Sequence, residues 1–599
     1  MLDLTQLIKT PHVDNSLPFG LSPDGAKAAF ARNKTGKWEI YLLDLTKPNF
    51  PAEQISRGEG AKFAPKFSPD GTKLIYPSDY DGSESYHIIL HDLQDDKIIN
   101  LTPDDGYAHQ PNLAWSPGGK EIALLTDSQG QFALYLLSIT GGEPRLLFDI
   151  GRPCWNLNWS PDSKWIAVEV EGEASYRWVY LVEAATGQWR QIMFNDKPLR
   201  GEHSTWSPDS RYLTFSGESG EWHDIGVYDV ETNRIEWITQ SEGNDTSPCW
   251  RRDGKGLAWI HAEGARAWLE VRERGGETKR YTAGEGVHSF PRFISNDEVI
   301  LIYESPSQPP DLWKVNLIDN SFTQLTNSLP AEIDRNEFIE PQEVWYSARD
   351  GTQVPALLYR PENAGKDSPA VILIHGGPNW HLQYLWFPLI SHMASRGWTV
   401  LAPNYRGSTG YGRQWQNASR YDMGGVDLED CVAGVDYLLR AGLAHPKKIA
   451  VTGSSHGGYL TMMCLTMYPR LWAAGSAVVP FLNWIASHYN SREDLQHWNI
   501  ENMGDPDENH KLWHDRSPFF FLDRIQSPVQ LISGENDPRC PASDSIEARD
   551  KLIELGREVE FLLYKGEGHS FLKIENVIDS ELRRVEFLAK ALERKPQNT

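Results

Sequence analysis

Along the first half of the chain, short apolar runs alternate with polar turns on a regular beat. One unit returns as LSPDG at Leu21–Gly25, FSPDGTKLIY from Phe67, WSPGGKEIAL from Trp115, WSPDSKWIAV from Trp159 and WSPDSRYLTF from Trp206. Looser copies start at Trp250 (WRRDGKGLAW) and Phe293 (FISNDEVILI). Taking Pro23, Pro69, Pro117, Pro161, Pro208, Arg252 and Ser295 as equivalent, the steps are 46, 48, 44, 47, 44 and 43 residues. A period in the forties, with β-branched and aromatic runs between turns, predicts propeller blades of four strands each. Seven copies predict seven blades. Within the unit an aromatic residue ends one strand, Ser-Pro-Asp-Gly makes the tight turn, and an alternating strand runs back. Pro presets one turn dihedral and Gly accepts a positive φ, so these residues are expected to be structural.

After about Asn327 the beat changes. The stretch SLPAEIDRNEFIEPQEV reads as a linker, and beyond it apolar strands alternate with helical patterns. AVILIHGG, WTVLAPNY, KIAVTGSS and VQLISGEN are candidate buried strands, and Leu428, Val432, Val435 and Leu439 recur at helical spacing. Such alternation predicts a doubly wound, mostly parallel sheet covered on both faces. The expected organisation is an N-terminal segment over 1–18 that packs back on the second domain, an all-β seven-bladed propeller over 19–328, and an α/β domain over 329–599.

Composition narrows the classes. Hydrophobic residues make up 40% and charged residues 23%, a balance typical of soluble globular proteins. No apolar run approaches the roughly 18 residues of a membrane span. The opening MLDLTQLIKTPHVDNSLPFG lacks the features of a secretory signal, so a cytoplasmic location with no membrane partner is expected. Five scattered cysteines (Cys154, Cys249, Cys431, Cys464, Cys540) suit reduced thiols better than disulfides or a zinc site. A net charge of −24 argues against nucleic acid as a partner. A homo-oligomer is compatible with all of this.

The chemistry concentrates in the second half. Gly453-Ser454-Ser455-His456-Gly457 has the form Gly-x-Ser-x-Gly, following an apolar strand (Lys448–Thr452) and preceding a helical run (Tyr459–Met467). A strand-to-helix turn this sharp presents Ser455 as a nucleophile, with glycines letting the backbone pass. A serine hydroxyl needs a positioned base, and in such sheets the triad runs Ser, then Asp or Glu, then His. Asp537 in GENDPRCP and His569 in YKGEGHSF both fall in loops after strands, which makes His569 the expected base and Asp537 its orienting partner. Asp544 falls within the next helix, while Asp505 and Asp507 precede any strand end. His510 and His514 have i, i+4 spacing, but HKLWH lacks the glutamate of a zincin, so exposed histidines and no metal are expected. His456, adjacent to the nucleophile, is poorly placed to act as its base. His375-Gly376-Gly377-Pro378 follows a strand where an oxyanion loop belongs, and the amides of Gly377 and His456 are the expected donors.

The ordered set of repeats, HGGP, NYRGSTGYG, GSSHGGY, NDPRCP and GEGH resembles the prolyl oligopeptidase family over essentially the whole chain, and the acylaminoacyl-peptidase branch most. The resemblance implies a cofactor-free serine peptidase for short peptides, with the propeller capping the active site and screening out folded proteins. It implies the triad Ser455, Asp537 and His569, oxyanion donors Gly377 and His456, and Arg539 as a holder of a substrate carbonyl. Phe481, Trp484 and Tyr489 fall where relatives build the pocket on the acyl side of the cut. The dipeptidyl-peptidase branch grips the free amino terminus with adjacent glutamates. This chain has no Glu-Glu pair, and Glu169, Glu171 and Glu173 are the nearest candidates. A dipeptidyl- or aminopeptidase, or an esterase/amidase of small acyl compounds, stands as the alternative.

Overall fold

Each repeat of the first half folds as an antiparallel meander with strands in sequence order. In the computed structural model, which describes residues 1–47, 49–103 and 106–593, these sheets span 20–54, 61–100, 114–148, 154–191 and 201–237. The sheet from Asn244 to Gln324 consists of two antiparallel halves joined by a single parallel pair, Ala267 with Val287. The propeller ring is closed by its own first residues. Val13 N–H donates to Pro310 O at 3.0 Å, and Phe30, Tyr41 and Leu43 of the first sheet share one core with Ile300, Ile302 and Leu312 of the last.

The recurring turns are built from local hydrogen bonds. Ser22, Ser68, Ser160 and Ser207 donate Oγ–H to the aspartate two residues on at 2.5 to 2.7 Å. The same Oγ accepts the amide five residues on, at 2.9 Å, which ties the turn to the start of the returning strand. The turn then needs a left-handed residue, supplied by Gly25, Gly71 and Gly119 but by Ser163 (φ 67) and Ser210 (φ 62) in later copies. A second signature sits after the outermost strand. Ser56, Thr102, Thr239 and Thr326 accept the amides of Ile40, Ile88, Ile225 and Leu312 at 2.7 to 3.0 Å.

The chain divides into two compact units. One is Pro11–Tyr80 with Glu84–Leu329; the other is Met1–Thr10, Asp81–Ser83 and Pro330–Thr599, whose residues 594–599 lie outside those described. The second unit is built on an eight-stranded sheet. Its strands are β1 (Gln342–Ser347), β2 (Gln353–Tyr359), β3 (Ala370–Ile374), β4 (Thr399–Pro403), β5 (Ile449–Ser454), β6 (Gly475–Val478), β7 (Val529–Gly534) and β8 (Val559–Tyr564). They lie in the order β1-β2-β4-β3-β5-β6-β7-β8, antiparallel as far as β4 and parallel after it. Strands β3, β4 and β7 are buried at every position because helices cover both faces, which is why they read as continuous apolar runs.

The main helices are α1 (Leu4–Lys9), α2 (Pro388–Ser395), α3 (Val426–Arg440), α4 (His456–Met467), α5 (Ala542–Glu554) and α6 (Ile574–Leu592). Helix α1, capped by Asp3 accepting Gln6 N–H at 2.7 Å, buries Leu4, Leu7 and Ile8 against α6 and α2. Among the described residues no helix is long and apolar enough to cross a membrane. All five cysteines are free and buried.

Candidate active site

Strand β5 ends at Ser454 and helix α4 begins at His456, so Ser455 occupies the turn between them at φ 59, ψ −122. For a residue with a β-carbon this conformation costs about 1–3 kcal/mol, which the packing of the turn must offset. That packing explains the glycines. A β-carbon on Gly457 would sit 2.1 Å from Ile374 O, and one on Gly453 would sit 2.4 Å from Gly457 O. Ser455 N–H donates to Val478 O at 2.9 Å, so the turn is held by β6 on one side and the end of β3 on the other.

The loop after β3 lies against the serine, since a β-carbon on Gly376 would come within 3.3 Å of Ser455 Cβ. Gly377 has φ 128, a conformation that favours glycine. His456 opens α4, where helix amides have no intrahelical acceptor. The loop is braced by the His375 ring, which stacks on Tyr405 at 4.3 Å and meets Ser408 Oγ at 2.9 Å, while Tyr405 O–H donates to His375 O at 3.0 Å. Burial holds the His375 imidazole far down, to about 3, so it is neutral. The His456 side chain turns away and sits 3.1 Å from the buried Asp427 carboxylate, whose other oxygen accepts the amides of Gly424 and Leu428.

Asp537 and His569 stand in the loops after β7 and β8, with His569 Nδ1 2.8 Å from Asp537 Oδ2. Asp537 Oδ1 accepts the amides of Arg539 and Cys540 at 2.8 and 2.9 Å, which fixes the carboxylate. Sequence reasoning passed over Glu567, two residues before His569. Fully buried, it accepts the amides of Leu572 and Lys573 and the Asn576 side chain, and its carbonyl accepts Asn536 N–H at 2.8 Å. Glu567 therefore ties the histidine loop to the aspartate loop. Asp544, in α5, proves structural: it is buried and accepts the amides of Leu482 and Asn483 and the Ser487 hydroxyl.

Of the three aromatic residues expected to form a pocket, Phe481 and Trp484 meet edge to face with ring centroids 4.6 Å apart. Trp484 is a core residue, 2% exposed and packed on Trp513, whereas Tyr489 is 59% exposed beside His488. Phe481 is half-buried, stacks on Tyr459 at 4.5 Å and lies 6.1 Å from the His456 ring. Arg539, two residues after Asp537, is exposed. In the propeller, Glu169 is buried and accepts Ser204 N–H, Ser204 Oγ–H and Asn156 Nδ2, and Glu171 accepts Trp155 Nε1. Glu173 is exposed. His510 is exposed, His514 stacks on Phe520 at 4.3 Å, and among the described residues the pair belongs to no cluster of three metal-binding side chains.

Comparisons with known proteins agree with this architecture. Residues 386–595 match the prolyl oligopeptidase family and residues 13–152 the TolB β-propeller domain. The uncharacterized peptidase YuxL of Bacillus subtilis is 26% identical, over 84% of this chain and 94% of its own. Dipeptidyl aminopeptidase BIII of Pseudoxanthomonas mexicana is 24% identical, over 93% of this chain and 84% of its own. The acylamino-acid-releasing enzyme of Rattus norvegicus is 27% identical, over 57% of this chain and 49% of its own. The crystal structure of puromycin hydrolase has a TM-score of 0.87 at 19% identity, covering 99% of this chain and 96% of its own, and so shares the fold. With a propeller followed by an α/β-hydrolase domain that carries a serine at a glycine-flanked strand–helix turn, the chain belongs to the prolyl oligopeptidase family of serine peptidases.

Proposed function

We propose that Ser455 is the nucleophile, His569 its general base and then acid, and Asp537 the group that fixes the His569 tautomer. His569 takes the serine proton as Oγ attacks the substrate carbonyl, and the amides of Gly377 and His456 receive the negative charge that develops on its oxygen. The proton then passes to the leaving amine, an acyl-enzyme forms, and water activated by the same imidazole releases the acyl group. The observation that carries this reading is Ser455 at φ 59 on the β5–α4 turn, with the His569–Asp537 pair at 2.8 Å in the loops after β7 and β8.

The substrates are short peptides, taken in the acylaminoacyl-peptidase or oligopeptidase manner, with the propeller limiting access by size. Support for blocked rather than free amino termini comes from the glutamates: Glu169 and Glu171 already hold protein donors and are poorly suited to grip an ammonium group. The relative named a dipeptidyl aminopeptidase keeps the free-terminus reading as its competitor. Arg539 is the group proposed to hold a substrate carbonyl, and Phe481 is the best placed of the three aromatics to border the acyl-side pocket. Five free, buried thiols suit a reducing cytoplasm, and the net charge of −24 suits a protein that leaves nucleic acid alone.

Ser455→Ala should abolish both hydrolysis of short chromogenic peptides and labelling by a fluorophosphonate while the melting temperature holds. Undiminished turnover by that variant would sink the assignment. A panel of matched peptides with free and acetylated termini, together with simple acyl esters, separates the three substrate readings.

A further inference from the structure

We infer that the Asp537 carboxylate, the Cys540 thiol and the His569 imidazole together form an inhibitory site for a soft divalent cation of the zinc class. One donor atom from each residue lies within 4.8 Å of the other two. These are the three ligand types that zinc takes, with bonds of about 2.0–2.3 Å, so a tetrahedral ion needs its donors about 3.5 Å apart. Side-chain rotations would have to bring the three donors to that spacing. Thiolate and imidazole favour zinc and cadmium over magnesium or calcium.

Binding releases the thiol proton to solvent as the metal–sulfur bond forms. An imidazole whose lone pair is given to the ion can no longer accept the serine proton, so turnover stops. The Cys540 thiol takes no part in the acyl-transfer steps themselves. A second cluster, Asp245, His261 and Glu270 in the propeller, is a poorer host: Arg280 stands 3.7 Å from Glu270 and 3.8 Å over Trp268, so a cation already faces it.

The inference rests on the triad proposed above, and its test keeps the two apart. Chelator-treated full-length enzyme is titrated with zinc and cadmium chloride, with magnesium as control, while peptide hydrolysis and the ultraviolet cadmium–thiolate absorption band are followed. Zinc and cadmium should inhibit, chelator should restore activity, and magnesium should do nothing. In Cys540→Ala and Cys540→Ser, uninhibited hydrolysis should stay close to wild type. The metal concentration for half-inhibition should rise by at least about tenfold, since losing even an outer-shell partner weakens metal sites by that much. The absorption band should vanish in both. Ser455→Ala should still show the band, because its reporter is the thiolate and not turnover. Inhibition that persists unchanged in both cysteine variants, or a band that survives in them, overturns the site. Turnover surviving in Ser455→Ala would instead overturn the triad and leave the band as evidence for the metal.

Discussion

Replacing Asp537 with asparagine separates the proposed orienting role of the carboxylate from its part in holding the loop. Oδ1 accepts two backbone amides, at 2.8 and 2.9 Å, while Oδ2 faces His569 Nδ1 at 2.8 Å. The two amides demand an acceptor, so an asparagine must place its oxygen there and turn its NH2 toward the imidazole. That NH2 cannot accept a proton from Nδ1. The ring is therefore driven to the tautomer protonated on Nε2, the nitrogen proposed to receive the serine proton. Turnover should fall by roughly 1,000- to 10,000-fold, about 4–5.5 kcal/mol in barrier. Because both loop hydrogen bonds survive, the melting temperature should barely move. Asp537→Ala is the control: it strands two amide donors, at about 1–3 kcal/mol each, and should lose stability as well as activity. Peptide hydrolysis rates and thermal melts of the two variants decide the matter. An asparagine variant within about tenfold of wild-type turnover, or one that loses activity only by unfolding, refutes the reasoning.

Three further outcomes follow from the same geometry. Gly457→Ala must push the turn off Ile374 O, 2.1 Å from the new β-carbon, and a displacement of about an ångström should slow fluorophosphonate labelling by roughly 100-fold; wild-type labelling would contradict it. His375 is held down to about 3 by burial, so below its ordinary value of 6.5 the unfolded chain binds a proton that the folded state refuses. Stability should fall by about 1.4 kcal/mol per pH unit between those values, and urea midpoints of His375→Gln against pH should lose that slope. Trp484→Ala should destabilise by about 3–5 kcal/mol, whereas Tyr489→Ala should leave both melting and KM unchanged; a KM effect in the latter would return Tyr489 to the pocket.

The propeller was legible because its turns are local. Ser22, Asp24 and Lys27 satisfy one another within six residues, and the same short sentence recurs around the ring. The parallel strands were legible because burial on both faces leaves unbroken apolar runs such as AVILI. The strand–helix turn at Ser455 was legible for a third reason: the glycines that let it pass the β3 carbonyls stand inside one pentapeptide. What escaped is what depends on distant partners. The Thr326 signature needs Leu312 on the neighbouring strand, and GEGH reads as a plain turn although Glu567 anchors it through Leu572, Lys573 and Asn576.

Helix α3 shows why periodicity alone misleads here. Its apolar spacing runs through Leu428, Val432, Val435 and Leu439 and passes over Asp427 and Asp430. Both aspartates are fully buried, because Arg406 pairs with Asp430 at 2.7 Å and His456 meets Asp427 at 3.1 Å. Burial still pushes the Asp430 carboxyl up to about 6 against the pull of Arg406. The same limit separates Trp484 from Tyr489. Trp484 and Tyr489 share the helix Trp484–Asn490, and five residues at about 100° each set them about 140° apart, so a helix that buries one must expose the other. That relation was available from spacing alone once the segment was read as helical. The acids behind the site were not, since a buried carboxylate is intelligible only beside the donor that meets it. Asp427, Asp544 and Glu567 therefore support the proposed chemistry from positions that apolar spacing passes over or reads as a helix side chain or a loop.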